Sequence, residues 1–175
     1  MKKPLAAAVL TLSLAAACTP KPPAEKKPAP DYQMPLTRFS PPNLAKICYN
    51  PTDANTVYVR MVQGEMAVGY LTCQNPDGTR KFNSQYGDVV SKFSAELSAN
   101  GQELKTLFGK RRLNIDAVVT EFANREAQRR NDDPQFCSRM ERAFAWALSP
   151  GVTSLSQVPP PHDLGPEMNI FPCAK

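Results

Sequence analysis

The chain has 175 residues, with 21 lysines and arginines against 16 aspartates and glutamates, 18 prolines, five cysteines and one histidine. A net charge of +5 is too slight and too dispersed to mark a nucleic-acid binder. One histidine leaves a histidine-based catalytic or zinc centre short of partners, and eight scattered glycines form no phosphate-cradling loop.

The first 17 residues open with Lys2 and Lys3, run apolar from Leu5 to Ala17, and end in Ala15-Ala16-Ala17 before Cys18. A positive start, a short apolar middle and a small-residue cut site describe a secretory signal. The apolar run falls short of the about 20 residues a spanning helix needs. The stretch Leu14-Ala15-Ala16-Ala17-Cys18 resembles a bacterial lipobox. That resemblance implies cleavage before Cys18, acylation of Cys18 and a bacterial lipoprotein held by palmitate-like chains. Thr19 after the cysteine, rather than Asp, implies sorting to the outer membrane, facing the periplasm. The alternative is ordinary cleavage after Ala17 that frees a soluble periplasmic protein.

Residues 18–43 are the lipidated cysteine and a tether. Prolines 20, 22, 23, 28, 30, 35, 41 and 42 fix φ and remove amide donors. Such a segment cannot bury a core and predicts a semi-rigid, polyproline-like spacer with a reach on the order of 80 Å. Loss of Lys2 and Lys3 with the signal leaves 19 basic residues against 16 acidic.

Residues 44–175 have the size of one domain. Val59, Val62, Met66, Tyr70 and Cys73 recur at steps of three and four, which predicts a first helix. Strand alternation with a turn at Gly64 gives the alternative, an α+β fold with a hairpin at 56–73. The run Asn75-Pro76-Asp77-Gly78 is a turn. Phe82, Tyr86, Val89, Val90, Phe93, Leu97, Leu104, Leu107 and Phe108 trace a long second helix, with Asn100-Gly101 as a kink or break. Gly109 and Lys110-Arg111-Arg112 read as its stop. Asn114 caps a third helix, with Leu113 and Val118 at staple spacing. Its buried face is Ile115, Val118, Val119 and Phe122. Arg125, Arg129 and Arg130 read as a favourable basic helix end. Asp133-Pro134 opens a fourth helix carrying Cys137, Met140, Phe144 and Leu148, which ends at Ser149-Pro150-Gly151. From Val152 the prolines predict an extended strap over the bundle, packing through Leu155, Val158, Leu164, Ile170 and Phe171.

The expected fold is therefore all-α: a small antiparallel helical bundle with a Pro-rich N-terminal tether, an extended C-terminal strap and two disulfides. Four cysteines beyond Cys18 in an exported chain read as two pairs. Antiparallel helices bring Cys73, at the end of the first helix, to Cys137, at the start of the fourth. Cys48 and the strap's Cys173 share the opposite end. The expected pairs are Cys73–Cys137 and Cys48–Cys173.

No catalytic residue, cofactor or metal ligand set stands out. His162 beside Asp163 reads as an exposed pair in a strap, without the rigid support a general base needs. Arg139, Arg142 and Trp146 fall at steps of three and four off the apolar face of the last helix, and form a candidate interaction patch. The alternative is that Trp146 packs under the strap. The leading expectation is a non-enzymatic envelope lipoprotein, a structural or interaction module with a protein partner. Next come a small-ligand or peptidoglycan-binding lipoprotein using a groove between bundle and strap, then an envelope hydrolase. Labelled palmitate should enter the wild-type chain and not Cys18→Ala; labelling that survives the substitution would exclude this anchor.

Overall fold

The computed structural model describes residues 47–173. The signal, Cys18 and the tether lie outside the described residues. Among those described there are five α-helices and one pair of short strands. They run β1 (Ile47–Tyr49), α1 (Pro51–Thr72), α2 (Asn83–Lys92), α3 (Ser94–Lys110), α4 (Ile115–Asp132), α5 (Phe136–Leu148) and β2 (Ile170–Pro172). The strap between α5 and β2 holds two single-turn 3-10 helices, Leu155–Gln157 and Pro166–Met168.

The hairpin alternative at 56–73 is ruled out, because that segment is the interior of α1. The three-to-four spacing beats the alternation because both sides of the helix are buried. Asn50 accepts the amide of Asp53 at 2.8 Å and Pro51 occupies the first turn, where a missing amide costs nothing. Val59, Val62 and Met66 enter one core with Phe82, Phe93, Phe136 and Phe144. Val57 and Met61 enter a second with Leu104, Phe108, Phe122 and Leu164. Gly69 lets α5 approach closely, since a Cβ there would lie 2.6 Å from Met140 Cγ.

The long second helix is two helices, broken at Phe93 and not at Asn100-Gly101. Phe93 leaves helical geometry at φ −105°, ψ 18° while its ring stays buried in the first core. Asn100 stays helical because its amide is fully used. It donates to Thr56 O at 2.7 Å and accepts from Arg60 Nε at 3.2 Å. Gly109 is likewise inside α3, not its stop. The left-handed cap falls on Arg112, at φ 54°. Its amide reaches Gly109 O at 3.1 Å, and the amide of Leu113 reaches Phe108 O at 2.9 Å. That double bond pattern is the Schellman closure, here without glycine.

Asn114 caps α4 by accepting the amides of Asp116 and Ala117. Asp133 closes α4 rather than capping α5 directly, and α5 begins at Phe136. Lys92 covers carbonyls at the end of α5, donating to Ala147 O at 2.8 Å and Ser149 O at 2.7 Å. Both expected disulfides are present, Cys73–Cys137 and Cys48–Cys173, with Cα separations of 5.7 and 4.6 Å. Beside the second, β1 and β2 pair in parallel, with Cys48 opposite Phe171. Three-residue strands are too short to leave a sequence pattern, and this pair was not expected.

A non-glycine residue in the left-handed region costs about 1 kcal/mol. Arg112→Gly should therefore raise the unfolding free energy by about 0.5–1 kcal/mol in urea titrations. An unchanged or lower midpoint would contradict the cap geometry.

Candidate functional site

The apolar stripes of α1 and α4 do not end where their hydrophobic residues end. On α1 the line Val57–Met61 continues one turn on to Glu65. On α4 the line Val118–Phe122 continues to Arg125, Glu126 and Arg129. These positions keep the burial of the stripe they extend. Charges therefore line an enclosed face between α1 and α4, and the strap crosses it.

His162 is the strap's contribution, and the expectation of an exposed residue is corrected: it is 0% exposed. Its ring stacks on Phe136 with centroids 5.7 Å apart. Nδ1 lies 2.7 Å from Glu126 Oε1, and Nε2 lies 3.3 Å from Asp133 Oδ2. A neutral ring donates to one of these carboxylates; an imidazolium donates to both. Its backbone amide donates to Glu65 Oε2 at 3.2 Å. Asp163, its expected companion, is half-buried and instead accepts the amide of Gly165 at 3.0 Å.

Three arginines complete the cluster. Arg139 donates from Nε to Asp133 Oδ2 at 2.9 Å. Arg129 hydrogen-bonds Glu167 of the strap, and Arg125 Nε donates to Glu121 at 2.8 Å. Arg129 and Arg130 do lie in the last turn of α4, as the basic helix end requires, but Arg125 and Arg129 are buried in ion pairs while Arg130 is exposed. Asp133 Oδ1 accepts the amide of Gln135 at 2.8 Å, a cap-type bond at the start of the turn into α5, while its Oδ2 takes Arg139 and His162.

The environment separates the acids. Burial pushes the Glu65 carboxyl well above the usual carboxylate range, and the neighbouring Glu126 anion adds to it; the His162 amide and Arg129 oppose this. Burial also acts to raise Asp133. There the Gln135 amide, the His162 ring and Arg139 outweigh it, and the group is held below its usual range. Glu65, Glu126 and His162 each offer a ligand-type atom within 4.8 Å of the others. Counting only histidine and cysteine as ligands missed the two glutamates. Their signal in the sequence is acidic residues at buried-face registers of apolar helices.

The rest of the strap is stitched by similar contacts. Glu96 accepts the Leu155 amide at 2.9 Å and the Ser154 hydroxyl at 2.6 Å. Tyr58 donates to Val158 O at 2.6 Å, and Trp146 donates to Gln157 O at 3.0 Å. Trp146 therefore belongs under the strap. The expected ridge of Arg139, Arg142 and Trp146 does not stand as one surface: Arg139 is 6% exposed and turned to Asp133, while Arg142 is exposed. The helical period placed Arg139 off the apolar face, and the strap covers that side. Leu155, Val158 and Leu164 are buried as expected.

Between α1 and the end of the strap lies a cavity of about 260 Å³. Its lining includes Val57, Tyr58, Met61, Ile170, Phe171 and Pro172. No described helix is long and apolar enough to cross a membrane. No protein-family model, curated protein or solved structure matches this chain.

A glutamate whose folded-state pKa is raised contributes stability that is complete below the ordinary glutamate range and is lost as pH rises through the folded value. Asp133 acts oppositely, and its contribution is lost as pH falls through its lowered value. Glu65→Gln mimics the protonated acid. In a chelating buffer at pH 8 it should be more stable than wild type by about 1–3 kcal/mol, with the gap closing toward pH 4. Urea unfolding across that range would contradict the assignment if the two curves ran parallel.

Proposed function

We propose that this chain is a lipid-anchored envelope protein that acts by binding, as a structural or interaction module on the periplasmic face of the outer membrane. The observation that carries the reading is the direction of its reactive groups. His162, Glu65, Glu126 and Asp133 all turn inward to hold the strap. General acid–base chemistry needs such groups within reach of a substrate. The two disulfides support an oxidising compartment, and leave Cys18 as the remaining cysteine for lipid. A covalently clamped domain loses little further conformational freedom on binding, which favours a presenting scaffold.

The cavity between α1 and the strap favours a second reading, a small-ligand or peptidoglycan binder. Its volume of about 260 Å³ is near the lower end of ordinary ligand pockets, and its walls are largely apolar side chains.

In-cell photo-crosslinking separates the two. A crosslinker at Arg142, on the outer face of α5, should give a discrete protein adduct if the chain is an interaction module. One at Phe171 should give a cell-wall or small-molecule adduct if the cavity is the working site. Absence of adducts from both positions, in cells where the chain is exported and oxidised, would overturn both readings.

A further inference from the structure

Glu65 from α1, Glu126 from α4 and His162 from the strap place three donor-type atoms within 4.8 Å of one another. All three residues are at most 1% exposed. Each glutamate spends one oxygen on His162: Glu65 Oε2 on the backbone amide, and Glu126 Oε1 on Nδ1. The other oxygens, Glu65 Oε1 and Glu126 Oε2, have no hydrogen-bond partner. The nearest cation to Glu126 Oε2 is Arg129 Nε, at 3.9 Å, and that nitrogen is itself without a hydrogen bond. Buried carboxylate oxygens without partners are rare, and each asks for an explanation.

Charge points the same way. The buried carboxylates of the cluster are Glu65, Glu126, Asp133 and Glu167. The buried guanidinium groups are Arg125, Arg129 and Arg139. With His162 neutral, as a metal-ligating ring is, and every carboxylate ionised, the four anions outnumber the three cations, and half-buried Glu121 and Asp163 lie at the margin. Enclosed charge of one sign is held when it is paired or when it coordinates a metal.

We propose that Glu65, Glu126 and His162 hold a divalent transition-metal cation, Zn²⁺ foremost, which staples the strap to α1 and α4. One imidazole nitrogen with two carboxylate oxygens suits zinc. His162 ligates through Nδ1, the nitrogen that faces Glu126. Its Nε2–H then donates to Asp133, which Arg139 fixes in turn. A carboxylate behind the far nitrogen is the usual support of a metal-bound histidine, setting its tautomer and raising its basicity. Zinc bonds of about 2.0–2.2 Å place tetrahedral donors about 3.4 Å apart. Donors up to 4.8 Å apart draw in by at most about 1.4 Å, while Nδ1 and Glu126 Oε1, now 2.7 Å apart, open by about 0.7 Å, shifts within the reach of glutamate side-chain torsions. The cation replaces the proton shared between Nδ1 and Glu126 and the proton that burial holds on Glu65, and both leave to solvent. Because the donors are enclosed, the cation binds as the strap docks.

The test refolds the full chain, with both disulfides formed, in the presence of Zn²⁺. It then measures metal after dialysis against a weak chelator. About one zinc per chain should be retained, with a higher thermal midpoint than the metal-free chain. Glu65→Gln and Glu126→Gln should each retain at least tenfold less and lose the thermal shift, while keeping wild-type helical circular dichroism. Retention below about a tenth of an equivalent in wild type, or equal retention in both variants, overturns the site. Should a variant fail to fold, zinc-edge X-ray absorption of the wild type decides alone. Imidazole with oxygen ligands supports the site, and a shell lacking imidazole overturns it. These readouts require no partner, so they stand or fall apart from the binding function.

Discussion

A proline-rich segment that crosses a protein interior brings buried carbonyls and amides that no ladder will satisfy. Backbone polar groups taken from water without partners cost more than most packing contacts return. The strap meets this constraint by borrowing side chains from the helices beneath it. Glu96, Tyr58, Trp146 and Glu65 each serve one backbone group of the strap. The helices had to carry polar groups on their inward faces for the strap to lie there at all. The buried charges of α1 and α4 follow from that requirement.

The same requirement explains why α1 is central. With the first core on one side and the second on the other, its length offers little surface to water. The ionic cluster continues the second core. Two buried ion pairs, Arg139–Asp133 and Arg129–Glu167, fix α5 and the strap in register with α4. Buried pairs of this kind add little net stability over apolar residues, but losing one partner is expensive. They act by making alternative seatings of the strap unfavourable.

The helical architecture and both disulfides were legible because they rest on period, cap chemistry and parity. Asn114 as a cap follows from its immediate neighbours, and Cys73 opposite Cys137 from the alternating direction of the helices between them. The failures have a common cause. Phe93 breaks a helix for tertiary reasons, keeping its ring in the core while the axis turns. Arg112 takes a left-handed cap with no glycine to announce it. Arg125 and Arg129 were read as a basic helix end and Arg139 as part of a surface patch, although the first two, with Glu126, sit at registers that extend an apolar stripe. His162 was read from its proline neighbours, whereas its partners come from α1, α4 and the α4–α5 turn. A residue's place in a strap says nothing of what the strap covers. Metal-ligand reasoning confined to histidine and cysteine failed for the same reason, since the glutamates gain meaning only from their neighbours in space.

The length of α1 also bears on which cysteines can pair. In chain order Cys48 and Cys73 are the first two of the four bridge-forming cysteines, and so the nearest wrong pair. Between them stands a helix of 22 residues, about 33 Å long once formed. Cysteines bridge only when their Cα atoms come within about 7 Å. Once wound, α1 therefore holds these two thiols apart, which leaves Cys73 to Cys137 and Cys48 to Cys173. The second bridge closes a ring spanning 125 residues around the first. The helix acts as a ruler that excludes the nearest wrong pairing by its length alone.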